Sequence, residues 1–319
     1  MDDPPKTHAN DYSSGATYAV KLKSLLYYAA LAPSIHNTQP WRFEVRNKSI
    51  LLYADESRRL SIADPQARQL HISCGAALDH LSLAFRYHEL EPLVELFPIT
   101  KNVQCIAQIS IQGTCPCSIL EKSLFNAMKD RHTTRAPFLP QRIDSEIAEE
   151  LTNIISMNIN RFTGISDPEL RNKVVKLVMQ ADRHLVDDEN YQNELFSWIE
   201  SNSYKLNDGM PLERLELPDM QTSTSSNSAT IENTIMGLLS SQSDSTKDWV
   251  STGQALSRML LYAAVKGLSA SFLNQPIDVP ALRPQLANLV GIEGYPQMLI
   301  LLGVPSTKHY SNRRVPSLL

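Results

Sequence analysis

The chain has 319 residues, with 30 basic and 34 acidic side chains and a formal net charge of −4. At about 100–200 residues per domain, this length predicts two domains or one large one, with chain enough for a sizeable core. The charge balance excludes a polybasic nucleic-acid binder, and 42% apolar with 20% charged residues is the mixture of a folded chain and not a disordered one.

The opening, MDDPPKTHANDYSSG, has neither the basic nor the apolar stretch of a secretory leader. Residues 1–17 are expected to be a disordered lead-in, and the chain to be cytoplasmic. No apolar run approaches the ~20 residues of a membrane helix, so no membrane contact is expected. From Tyr18, apolar residues recur at helical spacing until Pro33. Trp41, Phe43 and Val45 then alternate with charged residues, and after Asn47-Lys48 a second run follows, Ser49 to Tyr53. That is a β-hairpin. A helix is predicted from Arg68 to Tyr87 and a strand from Val103 to Ile111.

A second half begins near Ile119. The helix containing Leu120, Leu124, Ala127 and Met128 is expected to run into Arg131 and stop before Pro137. Helices follow at Pro168–Arg183 and Glu189–Ser201, where Asp187-Asp188-Glu189 reads as a helix start and not a calcium loop. Residues 205–247 hold Pro211, Pro218 and seven Ser or Thr in the ten residues from Gln221 to Thr230. A polar stretch this long suggests a lid, a functional loop or a linker. Beyond it come a helix from Trp249 to Val265, a short extended run from Leu268 to Phe272, and a buried strand from Tyr295 to Leu302.

The halves share a pattern. Gly75, Ala77, Leu78, Leu81, Leu83 and Leu90 align without gaps onto Gly253, Ala255, Leu256, Met259, Leu261 and Leu268, at a constant offset of 178. Each helix precedes a buried strand. An internal duplication is expected, dividing the chain into 18–118 and 119–319, the latter carrying the lid-like insertion 205–247.

Two segments carry chemistry. In the first, Pro33 and Pro40 fix φ at both ends of a turn that holds Ser34, Asn37 and Gln39, the donors and acceptors a flat heterocycle's edge requires. The same residues would equally make a simple connecting turn. In the second, Arg131 and Arg135 lie four apart and can converge on one anion, with His132, Thr133 and Thr134 between them. An exposed basic patch is the alternative. Cys74, Cys105, Cys115 and Cys117 make no CxxC pair, and Cys115-Pro116-Cys117 lacks His partners, so no metal is expected. His36, His71 and Cys74 read as turn or core residues. With no G-x-G-x-x-G and no P-loop, a Rossmann domain is unsupported.

Taken whole, A-P-S-x-x-N-x-Q-P-W-x-F from Ala32 to Phe43 resembles the flavin-contacting turn of the nitroreductase superfamily. With Asp64-Pro65 and the run Leu70–Leu78 downstream, it is similar to the Acg-like branch, whose members carry a duplicated fold in one chain. The resemblance implies an α+β fold of two nitroreductase-like α/β/α units packed as an intrachain pseudo-dimer, either monomeric or weakly homodimeric. It implies FMN bound by Pro33, Ser34, Ile35, Asn37 and Gln39 of the turn and by Arg131, His132, Thr133 and Arg135 of the basic segment. Leu273 and Asn274 correspond to the segment whose backbone approaches the flavin N5, and Arg313 and Arg314 to the tail that returns to the phosphate. Position 301, often Arg in the family, is Leu here.

In ordinary members the basic segment precedes the turn within one subunit, and each flavin sits between two subunits. Here the first half keeps the turn and the second half keeps the basic segment, so the resemblance implies one FMN pocket per chain, built across the two halves. The expected activity is hydride transfer from NAD(P)H through FMN to an electron-poor acceptor such as a nitro compound or quinone, with no side chain as catalytic acid or base. The alternative is a non-catalytic FMN-sequestering protein with a lid closed over the ring, and a duplicated scaffold that has lost the flavin is the blandest reading.

Overall fold

The computed structural model describes residues 17–134, 136–155, 160–199, 208, 233–307 and 311–319. Among them the chain forms two antiparallel four-stranded sheets. The first comprises β1 (Trp41–Arg46), β2 (Ser49–Ala54), β3 (Leu90–Leu96) and β4 (Cys105–Thr114), in the order β1-β2-β4-β3. The second comprises β5 (Asn160–Gly164), β6 (Ile235–Ser241), β7 (Ser269–Phe272) and β8 (Tyr295–Gly303), in the order β5-β6-β8-β7. The hairpin pairs Trp41 with Ala54 and Arg46 with Ser49, placing Trp41 and Phe43 in the core. The fold class is therefore α+β, as the resemblance implies.

Helix α1 (Tyr18–Ala30) precedes the first hairpin, and α2 (Arg68–Tyr87) lies between its hairpin and β3–β4. In the second half α3 (Ile119–Ala127) starts on a capping box, in which the Ser118 hydroxyl and the Glu121 carboxylate each satisfy the other's backbone N–H. It ends four residues short of Arg131. Helix α4 (Ser145–Ile155) leads to β5, and α5 (Pro168–Val186) and α6 (Glu189–Ser197) follow. Helix α7 (Thr246–Val265) follows β6, while the short α8 (Gln275–Asp278) and α9 (Arg283–Val290) separate β7 from β8.

The polar stretch expected at 205–247 needs correcting. Its last part is β6, a buried inner strand paired to both β5 and β8. The first sheet closes its β1–β2 hairpin over two residues, whereas the second joins β5 to β6 through residues 165–234. Residues 1–16, and Arg135, lie outside the described residues.

The central helices α2 and α7 form the most extensive helix contact and bury residues from both halves in one core, among them Leu25, Phe43, Leu78, Ile106, Leu124, Leu256, Met259 and Ile300. Their approach is set by two glycines. A Cβ on Gly75 would lie 2.0 Å from the Val250 carbonyl oxygen, and one on Gly253 would lie 2.0 Å from that of Ile72. Only glycine lets the two backbones come this close. A second core, with Val174, Leu177, Leu238, Leu286 and Leu299, fills the far face of the second sheet.

Candidate functional site

Between the two halves lies a cavity of about 320 Å³, within the range of small-molecule sites. Its floor is the first turns of α2, with Gln69, Ile72, Ser73 and Ala76.

One wall is the turn after α1. His36, Asn37 and Gln39 all have positive φ, at 44°, 55° and 50°, a conformation that costs non-glycine residues of order 1–3 kcal/mol each and persists only where the surroundings impose it. They do so here. The backbone N–H groups of Asn37 and Thr38 bond back to the Ser34 and Ile35 carbonyls, Gln39 N–H donates to the Ser34 hydroxyl at 3.0 Å, and Ile35 N–H donates to the Ser73 hydroxyl of α2 at 3.3 Å. The C-terminal tail completes the clamp. Arg313 donates to Asn37 Oδ1, Asn37 Nδ2 donates to the Asn312 carbonyl, and Arg314 N–H donates to Gln39 Oε1, at 2.9–3.1 Å. The tail then pairs with β1 through Phe43, Ser317 and Leu319.

The facing wall comes from the second half. After α3 the chain docks on the edge of β7, where Thr134 N–H donates to the Ala270 carbonyl at 2.8 Å. This anchors Arg131, which is 4% exposed and lines the cavity. Among the described residues its Nε has no hydrogen-bond partner, and Nη2 reaches the Leu31 carbonyl only at 3.5 Å. Burial, and then the charge of Arg313 nearby, push it down to about 9. The adjacent His80 is held neutral, at about 3, by burial and by Arg131 itself. A buried cation without an anion is costly, so this end of the cavity is built to receive one.

The remaining walls are Ser271, Phe272, Leu273 and Asn274 after β7, and the α5–α6 corner with Tyr191 and Leu195. Asn274 spends both ends of its side chain inside the fold, on Leu299 N–H and the Met298 sulfur, so what it offers the cavity is main chain. Helix α6 crosses to the first half, where the Glu194 carboxylate accepts from the backbone N–H of Ile62 and Ala63 at 2.8–3.2 Å. At the far end Asp278 takes Arg68 at 3.1 Å and Gln69 at 2.7 Å on one oxygen.

Such a site, a strained polar turn facing a buried arginine across two sheets, can be compared with known proteins. No family model matches the chain. A Mycobacterium tuberculosis protein named as a putative NAD(P)H nitroreductase, Acg, is 24% identical over 296 residues, covering 89% of this chain and 88% of that one. A second from the same organism, Rv3131, named likewise, is 27% identical over 299 residues, covering 89% and 85%. The resemblance is to the Acg-like nitroreductases. Among solved structures, a nitroreductase with bound FMN from Desulfitobacterium hafniense aligns at 12% identity over 59% of this chain and 92% of its own, with a TM-score of 0.41. A likeness of that size carries no weight for function.

Of the residues the Acg-like resemblance singled out, Pro33, Ser34, Ile35, Asn37, Arg131, His132, Thr133, Leu273, Asn274 and Arg313 line the one cavity. Gln39 and Arg314 do not. The Gln39 side chain is buried and turned to the tail, and Arg314 reaches Gln39 and Ser317. Arg135 lies outside the described residues. Sequence reasoning missed Asp278 and Asp182 in the lining. The signal for Asp278 was slight, a lone acid four residues after Asn274, because its partner Arg68 is 210 residues away.

Proposed function

We propose that the chain is an FMN-binding oxidoreductase of the nitroreductase type, passing hydride from NAD(P)H to an electron-poor acceptor such as a nitro compound or quinone. The observation that carries this is Arg131, a buried guanidinium with no anionic partner among the described residues, facing a rigid polar turn from the other half of the molecule. A phosphate fits such a group, because charge-assisted bonds to buried guanidinium are strong and planar. In this reading Arg131, Arg313 and Arg135 hold the phosphate with His132 and Thr133, and the 33–37 turn and the main chain of Leu273 and Asn274 hold the ring. Bound FMN would supply the two-electron chemistry. The protein's part is to fix the ring against strained backbone that cannot relax, and to exclude water with α6.

We further infer that the halves, 18–118 and 119–319, are duplicates related by a pseudo-two-fold axis, and that they make one such pocket per chain. Helices α2 and α7 coincide at the 178-residue offset, and both sheets have the same strand order. Positions 178 apart touch each other, as symmetry requires on an axis: Ser257 donates to Asp79 at 2.7 Å, and His71 packs on Trp249 with centroids 5.9 Å apart. The reciprocal glycines Gly75 and Gly253 obey the same relation.

A second reading, FMN held without turnover, is favoured by one feature. Helix α6 is tied over the cavity by Glu194, which would deny a nicotinamide its stacking place. Mixing the flavin-loaded protein anaerobically with NADH or NADPH separates the two. Prompt bleaching is expected, and lasting yellow colour would favour sequestration. Failure to take up FMN at all would overturn both.

A further inference from the structure

The cavity has two unlike ends. Gln69, beside Asp278, and His80, beside Arg131, are eleven residues apart on α2, about 16 Å at the helical rise. One end is cationic. The other is built around a carboxyl group.

Asp278 sits at the end of α8 and lines the cavity. Its Oδ1 takes both Arg68 and Gln69, and Oδ2 makes no hydrogen bond among the described residues. The side chain keeps 15% exposure, which opens into the cavity. The surrounding charges compensate a carboxylate there only in part, through the ion pair with Arg68. Arg283, from α9, is committed to Asp244 through two bonds of 2.6 and 2.9 Å. Arg68, from α2, also serves the Gln297 carbonyl at 2.7 Å, and it faces Asp64 as well as Asp278. From α5, Asp182 adds another carboxyl to the lining. Burial pushes Asp278 up to about 7, only partly offset by Arg68, and Asp64 adds to the rise. Burial also raises Asp64 and Asp182.

We propose that Asp278 is a positioning residue that binds the ring in its protonated form, its Oδ2–H donating a hydrogen bond to a carbonyl of the planar ring bound in this cavity. This rests on the reading of the cavity as a flavin site. Seating a neutral ring over Oδ2 displaces its water, which favours the uncharged acid further. Binding is therefore coupled to proton uptake, and the far end selects a ring edge that accepts hydrogen bonds over one that bears negative charge. Asp64, Arg68 and Arg283 act on the same group and set where it titrates, and Asp182 shares the cavity lining with it.

The test is calorimetric titration of the flavin-free protein with FMN at pH 7.5, in two buffers of different ionisation enthalpy, for the wild type and Asp278→Asn. Relative to the variant, the wild type should take up roughly half a proton or more per FMN, and its affinity should rise as pH falls toward neutrality, by up to about tenfold per unit. The phosphate itself titrates near pH 6, but it does so in both proteins and cancels in the difference. The infrared C=O stretch of a protonated carboxyl should grow in the wild type as FMN is added, a readout that stands even if the variant fails to fold. The same proton change in both proteins, or no such band in the wild type, overturns the assignment while leaving the flavin site intact. Absence of FMN binding by the wild type overturns the flavin site, and this role with it.

Discussion

Replacing Arg131 by methionine removes a buried cation and keeps a side chain of similar length, and two effects of opposite sign should follow. In the flavin-free protein the guanidinium stays charged at pH 7, because even the lowered value of about 9 lies above it. Keeping it charged in the fold costs about 5 kcal/mol at 1.36 kcal/mol per factor of ten, a ceiling for a group 4% exposed. Replacements of buried ion pairs by apolar side chains have returned about 1–4 kcal/mol, and a cation with no paired charge loses nothing on the other side. Arg131→Met should therefore raise the stability of the flavin-free protein by a measurable part of that range. FMN should bind less tightly, since losing a desolvated, charge-assisted contact costs about 2–4 kcal/mol, a factor of about 30 to 900. Urea denaturation without FMN and fluorescence titration with it measure the two arms. A variant that loses stability yet binds FMN as the wild type does would refute the view that Arg131 is held in strain for an anion.

Three further outcomes follow from the geometry. Gly75→Ala must push α7 away from α2, because the new methyl would meet the Val250 carbonyl oxygen; a loss of about 3 kcal/mol or more is expected in denaturant melts, and Gly253→Ala should match it. Glu194→Ala frees α6 from the Ile62 and Ala63 N–H groups, and stopped-flow release of FMN should quicken about fivefold, as for loss of about 1 kcal/mol at a partly exposed site. Burial alone would raise Asp244, but bonds from Arg283, Trp249 and Gln297 outweigh it and hold the group at about 2. Its stabilisation is present above the ordinary carboxylate value near 4 and is lost as pH falls from there through about 2. Urea midpoints of wild type and Asp244→Asn should therefore differ most at pH 5 and converge by pH 2.

Much of the fold could be read from periodicity. The first hairpin and α2 fall where alternation and helical spacing put them, because both present one clean apolar face or a fully buried one. Strand β3 went unread because it is an edge strand: Glu91, Pro92 and Glu95 suit an open edge and look like a loop in sequence. Strand β6 was hidden by its polar surroundings, since Ile235–Ser241 holds only five apolar or glycine positions before its serines. The turn and basic segment were legible as strings, and tertiary structure brings them to one cavity. What could not be read is charge compensation at a distance. Nothing local says that Arg283 is spent on Asp244, or that Arg68, the ion-pair partner of Asp278, also feels the charge of Asp64.

The most direct measurement is FMN stoichiometry after incubation and gel filtration, for the wild type, Asn37→Ala from the first half, Arg131→Ala from the second, and both together. One FMN per chain is expected for the wild type, with weaker retention in each single variant and none in the double. A colourless wild type, or two FMN per chain, would contradict a single pocket shared by the two halves.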